Sequence, residues 1–371
     1  MRVLFIDDEE APERHTISNL LRAEGLDAQF LHPEEVIDDD VHGAELIVVD
    51  YFLTHWGERD DIASASRSPR DGLAVIASLR SRLLPGLSGR TVGQRPPRAV
   101  AFALWSANLA EATLELPQYT LPSVFARENN LEWVFRRTEV STQDGARQIA
   151  SLARAVRAME SPAFDPDWIY RLLDIGQDDW SALARDDVLD CHPPLFDLGP
   201  RTGGLAMIRW MLHRVLPYPC FLLDERHLRA RLRMDDLSNA PDLFRELAPF
   251  EYGGVLSDFG GRRWWRSGVE SWLFQKTGGN SGDSIAVAEI GRALGGKADA
   301  NLLRPVVVLS PTMEPEEALV EVEVAVRVRP DDWPPFADDA FARIEDVRAH
   351  AELARIIEPA DRYLVGIGSD A

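Results

Sequence analysis

The segment AELIVVDYFL, residues 44–53, decides the fold. Its near-continuous apolar run, Leu46 to Val49, is followed at once by Asp50, which is typical of a buried parallel strand that ends in a carboxylate. Open parallel sheets bind their ligands beyond the carboxyl ends of the strands. We therefore expect Asp50 to lie at the functional edge of an α/β sheet.

A second segment of the same form opens the chain. Residues 2–6, RVLFI, precede the four acids Asp7, Asp8, Glu9 and Glu10. Two such strands in one parallel sheet end at the same edge, so acidic side chains from both should lie close together. Acids at strand ends also serve as helix N-caps, and capping of the first helix is the structural alternative for Asp7 and Asp8.

Strand and helix patterns alternate through the first 160 residues. Apolar residues at helical spacing predict helices at residues 11–24, 71–80 and 141–159, with a short or irregular helix at 33–40. Strand patterns cover residues 2–6, 27–31, 44–53, 98–106 and 131–136. This alternation predicts an α/β fold with a doubly wound, five-stranded parallel sheet covered on both faces.

Composition indicates an ordinary globular protein with an acidic surface. The 371 residues are 45% hydrophobic and carry a formal net charge of -21, which disfavours a non-specific nucleic-acid or anionic-membrane surface. No run reaches the roughly 18 apolar residues of a membrane helix, and no basic and apolar leader precedes the first strand. Cys191 and Cys220 lack a C-x-x-C spacing, which argues against a disulfide framework or zinc ribbon. We expect a cytoplasmic, bacterial protein.

Residues at the ends of the predicted strands carry a family resemblance. Asp7-Asp8, Asp50, Asp71-Gly72, Ser106 and the segment 133–136, WVFR, occur in the order found in a response-regulator receiver domain. Residues 1–160 therefore resemble a receiver of two-component signalling. The resemblance implies the flavodoxin-like version of the fold.

The resemblance also implies a phosphotransfer site. Asp50 matches the phosphoacceptor, while Asp7, Asp8, Asp50 and the backbone carbonyl of Phe52 match the ligands of a magnesium or manganese ion. Hard oxygen ligands suit Mg²⁺, which keeps several of its waters. Because the transferred phosphoryl group carries charge on its oxygens, positioning and charge neutralisation supply most of the catalysis.

Three further residues match the switch and cation positions of the family. Ser106 corresponds to the hydroxyl residue that bonds a phosphoryl oxygen, and Trp133 to the aromatic switch residue three positions before a lysine. Arg136 stands where that lysine would be. Arginine keeps the charge but is longer and planar, so it need not make the same point contact.

Two long insertions also depart from the receiver pattern. They are residues 54–70, which follow the acceptor strand and could form a lid or docking loop, and the Gly- and Pro-rich residues 83–97. Together with Arg136 they leave a second hypothesis open. In that hypothesis, the domain is a pseudo-receiver adaptor that acts by protein-protein interaction without phosphotransfer.

The turn-rich segment 161–167 marks the predicted domain boundary. Residues 161–371 resemble no family that we identify, and we expect a second α+β domain for output or interaction. It begins mainly helical and then becomes mixed. The predicted helices are residues 178–189, 204–216, 222–232 and 338–357, and the predicted strands are 305–310 and 318–328.

The most unusual segment of this half is 252–266, where glycine pairs flank Asp258 and tryptophans alternate with arginines. Interleaved Arg and Trp can stack on nucleotides or bases. This would suit a nucleotide- or nucleic-acid-directed enzyme around Asp258 and Arg262–Arg266, gated by the receiver. The alternative is that Trp264 and Trp265 lie in a core while the arginines pair with carboxylates.

The first functional hypothesis is therefore a signalling protein. Its receiver would take a phosphoryl group on Asp50 from a histidine kinase or a histidine-kinase-like ATPase, and residues 161–371 would act on an unknown output protein. A basic DNA-reading helix is not evident, so nucleic acid is disfavoured as a partner, and we expect no membrane. Beyond autophosphorylation of the receiver type, we identify no catalytic signature.

Overall fold

A computed structural model describes residues 1–9, 12–56, 71–83, 99–109, 121–159, 167–195, 204–238, 240–280, 287–294 and 302–366. Its internal contacts divide the chain into two compact units. The first contains residues 1–169, 194–213 and 255–260, and the second contains residues 170–193, 214–254 and 261–371. The predicted boundary at residue 161 thus falls near the end of residues 1–169, the longest segment of the first unit. The first unit also includes two later segments, residues 194–213 and 255–260.

The first unit is built on a fully parallel sheet with strand order β2-β1-β3-β4-β5. This is the order of the flavodoxin-like doubly wound fold. The predicted fold class and all five predicted strands are confirmed. The strands are β1 (Arg2–Ile6), β2 (Asp27–Leu31), β3 (Leu46–Asp50), β4 (Ala101–Ser106) and β5 (Trp133–Arg136).

Helices alternate with these strands. They are α1 (Arg14–Ala23), α2 (Asp38–Gly43), α3 (Gly72–Leu83), α4 (Pro122–Glu128), α5 (Arg137–Val140) and α6 (Gln143–Ala158), with a 3-10 turn at Pro33–Glu35. Gly25, two residues after α1, adopts a left-handed φ of +78°. The Thr142 side chain caps α6 by accepting the Gly145 N–H at 3.1 Å.

Both faces of the sheet are covered, which explains why its strands are apolar runs rather than alternating patterns. On one face, Ile47 and Val49 pack with Ile76 and Leu79 of α3 in a continuous core. All five residues of β3 are buried. The buried side of α6 includes Ile149, Leu152, Ala153 and Val156.

The register of the strands brings acidic residues to one edge. Ile6 of β1 pairs with Val49 of β3, so Asp7 follows β1 beside the last residue of β3, Asp50. Asp50 in turn pairs with Trp105 of β4. The carboxyl ends of the three central strands therefore meet at the same place.

Gly72 lets α3 begin directly against β3. Its N–H donates to the Tyr51 carbonyl at 3.0 Å, and a Cβ at this position would lie 2.2 Å from the Asp50 carbonyl oxygen. Asp71 caps the helix by accepting the Ala74 N–H at 2.9 Å. The Asp71-Gly72 pair therefore fixes the backbone beside Asp50.

Two segments from the second half of the chain lie against the edge strand β5. The Arg209 Nε donates to the buried Glu132 carboxylate at 2.7 Å, and the His213 Nε2 is hydrogen-bonded to the Glu132 carbonyl oxygen at 2.8 Å. The Phe259 ring meets Trp133 edge-on, with centroids 4.9 Å apart. These contacts explain why both segments belong to the first unit.

Beyond residue 160, short helices and two-stranded antiparallel sheets make up the described structure. The sheets pair β6 with β7, β8 with β9, and β10 with β11. The strands are β6 (Leu222–Asp224), β7 (Arg263–Trp265), β8 (Pro305–Val306), β9 (Val320–Glu321), β10 (Ala325–Val328) and β11 (Ala340–Arg343).

The helices of this half are short. They are α7 (Trp168–Leu172), α8 (Ser181–Asp190), α9 (Leu205–Trp210) with a π-helical turn at Met211–Val215, α10 (Glu225–Leu232), α11 (Pro241–Leu247), α12 (Arg266–Lys276), α13 (Val287–Ala293), α14 (Ile344–Ala349) and α15 (Ala351–Arg355), with 3-10 turns at Ala248–Phe250 and Pro359–Val365. Within the described residues, no helix is both long and apolar enough to cross a bilayer.

Three predictions for this half are wrong in detail. Residues 222–224 and 340–343, predicted as helical, form β6 and β11 because each pairs with a distant strand. The predicted strand at 318–328 is interrupted by a 3-10 turn at Val322–Val324. In each case tertiary pairing overrides the local pattern.

Candidate functional site

Three carboxylates converge at the carboxyl edge of the sheet. Asp7 and Asp8 directly follow β1, and Asp50 ends β3. One carboxylate oxygen from each of the three lies within 4.8 Å of the other two. The structure therefore brings together the acidic residues that the strand-end pattern predicted.

Two of the three acids are buried, and some of the carboxylate oxygens in the cluster accept no hydrogen bond. Asp7 and Asp50 are only 1% and 4% exposed. Among the described residues, the Asp7 Oδ2 and the Asp8 Oδ1 are buried and have no hydrogen-bond partner. Buried carboxylate oxygens that accept no hydrogen bond are costly, and a hard divalent cation with oxygen ligands would satisfy them. The donor set thus fits a magnesium or manganese ion.

Burial raises the pKa of Asp50 to about 7, and the negative charge of the neighbouring Asp7 acts in the same direction. Arg137 and a backbone N–H from Phe52 act in the opposite direction. Burial is also the main cause of the raised pKa of Asp7, and the Glu9 N–H opposes it by donating to Asp7 Oδ1 at 3.0 Å. Positive charge in the cluster would therefore favour the ionised form of Asp50.

Arg137, the first residue of α5, supplies positive charge to the cluster. Its Nη1 lies 3.7 Å from the Asp50 Oδ2 and its Nη2 lies 3.6 Å from the Asp7 Oδ2. These are ion-pair distances, too long for direct hydrogen bonds. The guanidinium carbon also lies 4.9 Å from the centroid of the buried Trp105 ring. A cation–π contact with Trp105 therefore holds the Arg137 guanidinium close to two carboxylates.

The sequence pattern places the family's cation position at the preceding residue, Arg136. Arg136 ends β5, and its Nη1 pairs with Glu139 at 3.3 Å, where both side chains are substantially exposed. The role of Arg136 stays a prediction, while Arg137 is the residue that the sequence interpretation missed. The only signal for it was the adjacent pair of arginines after a predicted strand.

Ser106 and Phe52 lie at the same edge. Ser106 is buried, and its Cα partner in the sheet is Arg136. Its Oγ accepts the Asn108 N–H at 3.2 Å, which orients the hydroxyl group at the end of β4. Phe52 already contributes its N–H to the Asp50 carboxylate. A metal contact from its carbonyl stays a prediction.

Trp133 lies at the other end of β5. Its Cα partner is Ala103, three residues before Ser106, and its ring meets Phe259. In the receiver pattern the switch residue lies three positions before the cation. If Arg137 is taken as the cation, that position is Val134, which is 1% exposed and belongs to the core. The proposed switch role of Trp133 stays a prediction.

The segment that follows Asp50 contacts the acids at the end of β1. The backbone N–H of His55 donates to the Asp8 Oδ2 at 2.5 Å. The ring Nδ1 of His55 lies 2.5 Å from the Glu9 Oε1. The Trp56 ring is buried in the core, and its Nε1 donates to Glu34. The start of the predicted insertion is therefore anchored beside the acids. Residues 57–70, which form its remainder, lie outside the described residues, as do residues 84–97 of the second insertion.

The second candidate site, around residues 252–266, has a different character. Trp264 and Trp265 are 0% and 1% exposed, so both are core residues, as the alternative interpretation predicted. Arg262 forms a two-point pair with Glu251, with N···O distances of 2.7 and 2.5 Å. Asp258 pairs with Arg154 at 3.3 Å. The rings are thus not presented for stacking on a base.

Neither a scan of protein-family models nor a search of curated proteins found a match. Among solved structures, the chain is similar to the RcsB response regulator of Salmonella typhimurium, at 14% identity and a TM-score of 0.26. The match covers 57% of this chain and 91% of that chain. Because this TM-score is low, the likeness carries no argument. The α/β fold is established by the strand order itself, and that fold is consistent with a receiver.

Proposed function

We propose that this chain is a signalling protein of the two-component type whose first unit accepts a phosphoryl group on Asp50. The observation that carries the proposal is the convergence of Asp7, Asp8 and Asp50 at one strand edge, where two buried carboxylate oxygens of the described residues accept no hydrogen bond. Helix capping alone does not explain this arrangement, because a capping carboxylate has its partners in the helix.

In the proposed reaction, a carboxylate oxygen of Asp50 forms a bond to phosphorus while the bond to the histidine nitrogen of the donor breaks. The positions of the other groups support the parts that we propose for them. Arg137 opposes the negative charge of Asp50 and Asp7. Ser106 supplies a hydroxyl group at the adjacent strand end, where it would donate to a phosphoryl oxygen.

Asp7 and Asp8 would hold the divalent cation together with Asp50. When bound, such an ion neutralises the charge on the phosphoryl oxygens. It would also satisfy the Asp7 Oδ2 and the Asp8 Oδ1, and it would lower the pKa of Asp50 so that the acceptor is ionised at neutral pH. The protein residues provide the ligands and orient the nucleophile.

Phosphorylation of Asp50 would then control the second unit, which we propose acts on an output protein. The donor would be a histidine kinase or a histidine-kinase-like ATPase in the bacterial cytoplasm. The formal charge of -21 disfavours nucleic acid as the output.

Phosphodonor labelling tests this proposal. The full chain is incubated with phosphoramidate and Mg²⁺, and its intact mass is measured with time. We expect one phosphoryl group per chain, dependent on the metal and absent after chelation with EDTA. An Asp50→Ala chain that is labelled as strongly as the wild type would show that the acceptor is another residue.

A pseudo-receiver adaptor is the second candidate, and two contacts favour it. The His55 N–H already occupies one oxygen of Asp8, and Arg137 already opposes the charge of two carboxylates. Mg²⁺ titration monitored by tryptophan fluorescence separates the candidates, because Trp105 lies beside Arg137. A saturable response to Mg²⁺ supports the receiver, and its absence at millimolar metal supports the adaptor.

A further inference from the structure

The second unit contains a cavity of about 590 Å³ that is partly open to solvent. This volume lies within the range of small-molecule sites, which is roughly 300 to 1,000 Å³. The described residues that line the cavity come mainly from α10, α12, α13, β8 and β11. All of them belong to the second unit, so an inference about this cavity is independent of the proposed phosphotransfer.

Part of the lining is apolar. Val306, Val322 and Phe341 line the cavity, and each of them is only partly buried. Val306 and Phe341 pack against the same core cluster, which holds them in place. Apolar surface in a concave site gains free energy when the apolar group of a ligand covers it. This part of the lining therefore suits an aliphatic or aromatic group.

Two opposite charges lie side by side in the same lining. The Arg231 Nη1 is 3.6 Å from the Glu270 Oε1, which is an ion-pair distance too long for a direct hydrogen bond. The two side chains are 36% and 48% exposed, so a solute in the cavity can reach both of them. Both groups therefore keep hydrogen-bonding capacity for a ligand.

Contacts with Asp338 hold the Arg231 guanidinium in position. The Arg231 Nη2 donates to the Asp338 Oδ2 at 2.7 Å, and the Arg266 Nη1 donates to the other oxygen of Asp338 at 3.1 Å. The Asp338 N–H donates to the Pro219 carbonyl at 2.8 Å. Because Arg231 is already ordered by these contacts, it loses little conformational freedom when it binds a ligand.

His227 adds a ring nitrogen to the lining. Its Nδ1 lies 2.7 Å from the Asp224 Oδ1, and the same oxygen accepts the His227 backbone N–H at 2.9 Å. Asp224 therefore fixes the ring, and the opposite nitrogen, Nε2, is the one available to a ligand. His227 and Arg231 are four residues apart in α10, so they lie on the same face of the helix.

We propose that this cavity binds an apolar or aromatic α-amino acid in its zwitterionic form. The α-ammonium and α-carboxylate groups of such a ligand are attached to one carbon, so they match opposite charges that lie side by side. Glu270 would accept hydrogen bonds from the ammonium group, while Arg231 would donate to the carboxylate. The side chain of the ligand would cover the apolar lining at Val306 and Phe341.

The charge of the lining favours a zwitterion over a simple anion. The described lining residues include three arginines and three carboxylates, namely Arg231, Arg233, Arg304, Glu270, Asp338 and Asp339. These formal charges cancel, and the chain as a whole carries -21, so its overall field opposes a multiply charged anion such as a nucleotide. A ligand that carries one charge of each sign avoids this repulsion.

Isothermal titration calorimetry of the full chain with L-phenylalanine tests the proposal. Three analogues each lack one of the recognised groups: 3-phenylpropionate lacks the ammonium group, phenethylamine lacks the carboxylate, and L-alanine lacks the large side chain. We expect saturable binding of one L-phenylalanine per chain. Each analogue should bind at least about tenfold more weakly, as for the loss of one charge-assisted hydrogen bond or of the apolar contact.

The variant Glu270→Gln separates recognition from a structural effect. It removes the partner of the ammonium group, so we expect L-phenylalanine to bind about tenfold more weakly and 3-phenylpropionate to bind no more weakly than before. A merely structural role of Glu270 would weaken both ligands equally. Glu317→Gln is the matched control, because Glu317 is an exposed glutamate of the same unit that is not among the described lining residues. It should bind both ligands as the wild type does.

Four results would overturn the proposal. The first two are no binding of L-phenylalanine at millimolar concentrations and equal affinity of the wild type and Glu270→Gln for it. The third is tighter binding of 3-phenylpropionate than of L-phenylalanine to the wild type, which would indicate a site for simple anions. The fourth is tighter binding of the dipeptide phenylalanyl-phenylalanine, which would indicate a site for peptides, whose terminal charges are far apart.

Discussion

The Nη1 of Arg137 lies 3.7 Å from the Oδ2 of Asp50, and its guanidinium group rests on the ring of Trp105. This relationship places a fixed positive charge beside the proposed nucleophile. It also distinguishes Arg137 from its neighbour Arg136, which pairs with the exposed Glu139.

Substitution of Arg137 should slow phosphorylation strongly. In Arg137→Ala the charge that opposes Asp50 and Asp7 is lost, so we expect the labelling rate with phosphoramidate to fall roughly 100-fold, as for the loss of one charge-stabilising group. Arg136→Ala is the matched control and should retain a rate close to the wild type. A larger loss in Arg136→Ala would assign the cation role to Arg136 instead.

Removal of a carboxylate should weaken metal binding. In Asp8→Asn we expect at least the roughly tenfold loss of Mg²⁺ affinity seen when groups around a metal are changed, measured by calorimetry. Asp71→Asn is the control, since Asp71 caps α3 outside the cluster and asparagine caps equally well. Equal affinities for both variants would contradict a metal site at the cluster.

A side chain at Gly72 should destabilise the first unit. The Cβ of Gly72→Ala would lie 2.2 Å from the Asp50 carbonyl oxygen, and the backbone must move to relieve this overlap. We expect the free energy of unfolding to fall by more than about 2 kcal/mol, measured by urea denaturation. Gly291→Ala is the control, because nothing lies within 4 Å of its Cβ in α13 and alanine favours a helix. Similar losses in both variants would refute the close-approach explanation.

The buried His213 should make stability depend on pH. Burial is the main cause that lowers its pKa from 6.5 to about 4. Because the folded protein holds the neutral imidazole, its contribution is fully present above pH 6.5 and is lost as the pH falls toward 4. The loss approaches about 3 kcal/mol.

Chemical denaturation between pH 7 and pH 4 measures this effect. His213→Gln can keep a donor for the Glu132 carbonyl but cannot titrate in this range. The difference in unfolding free energy between the wild type and this variant should therefore shrink or reverse as the pH falls. A difference that stays constant over the whole range would mean that His213 titrates normally.

The sequence predicted the first unit well because its strands are buried on both faces. A buried parallel strand is a near-continuous apolar run, and the acid that follows it lies at the functional edge whatever the details of the loops. Asp7, Asp8 and Asp50 could therefore be placed together from their positions after β1 and in β3. Only the structure explains the Asp71-Gly72 pair: Asp71 caps α3, and Gly72 leaves room for the Asp50 carbonyl.

The remaining features depend on distant partners that local patterns do not reveal. Arg136 and Arg137 are adjacent in sequence, and only the stack with Trp105 shows which one lies over the acids. Residues 222–224 precede a good helix, but they pair with β7 about forty residues later.

Mapping of the modified residue tests the central claim most directly. The full chain is labelled with phosphoramidate and Mg²⁺ and then treated with borohydride, which reduces an aspartyl phosphate to homoserine. We predict homoserine at position 50 in the wild type and none in unlabelled protein. Phosphorylation without homoserine at position 50, or no phosphorylation at saturating Mg²⁺, would contradict the account.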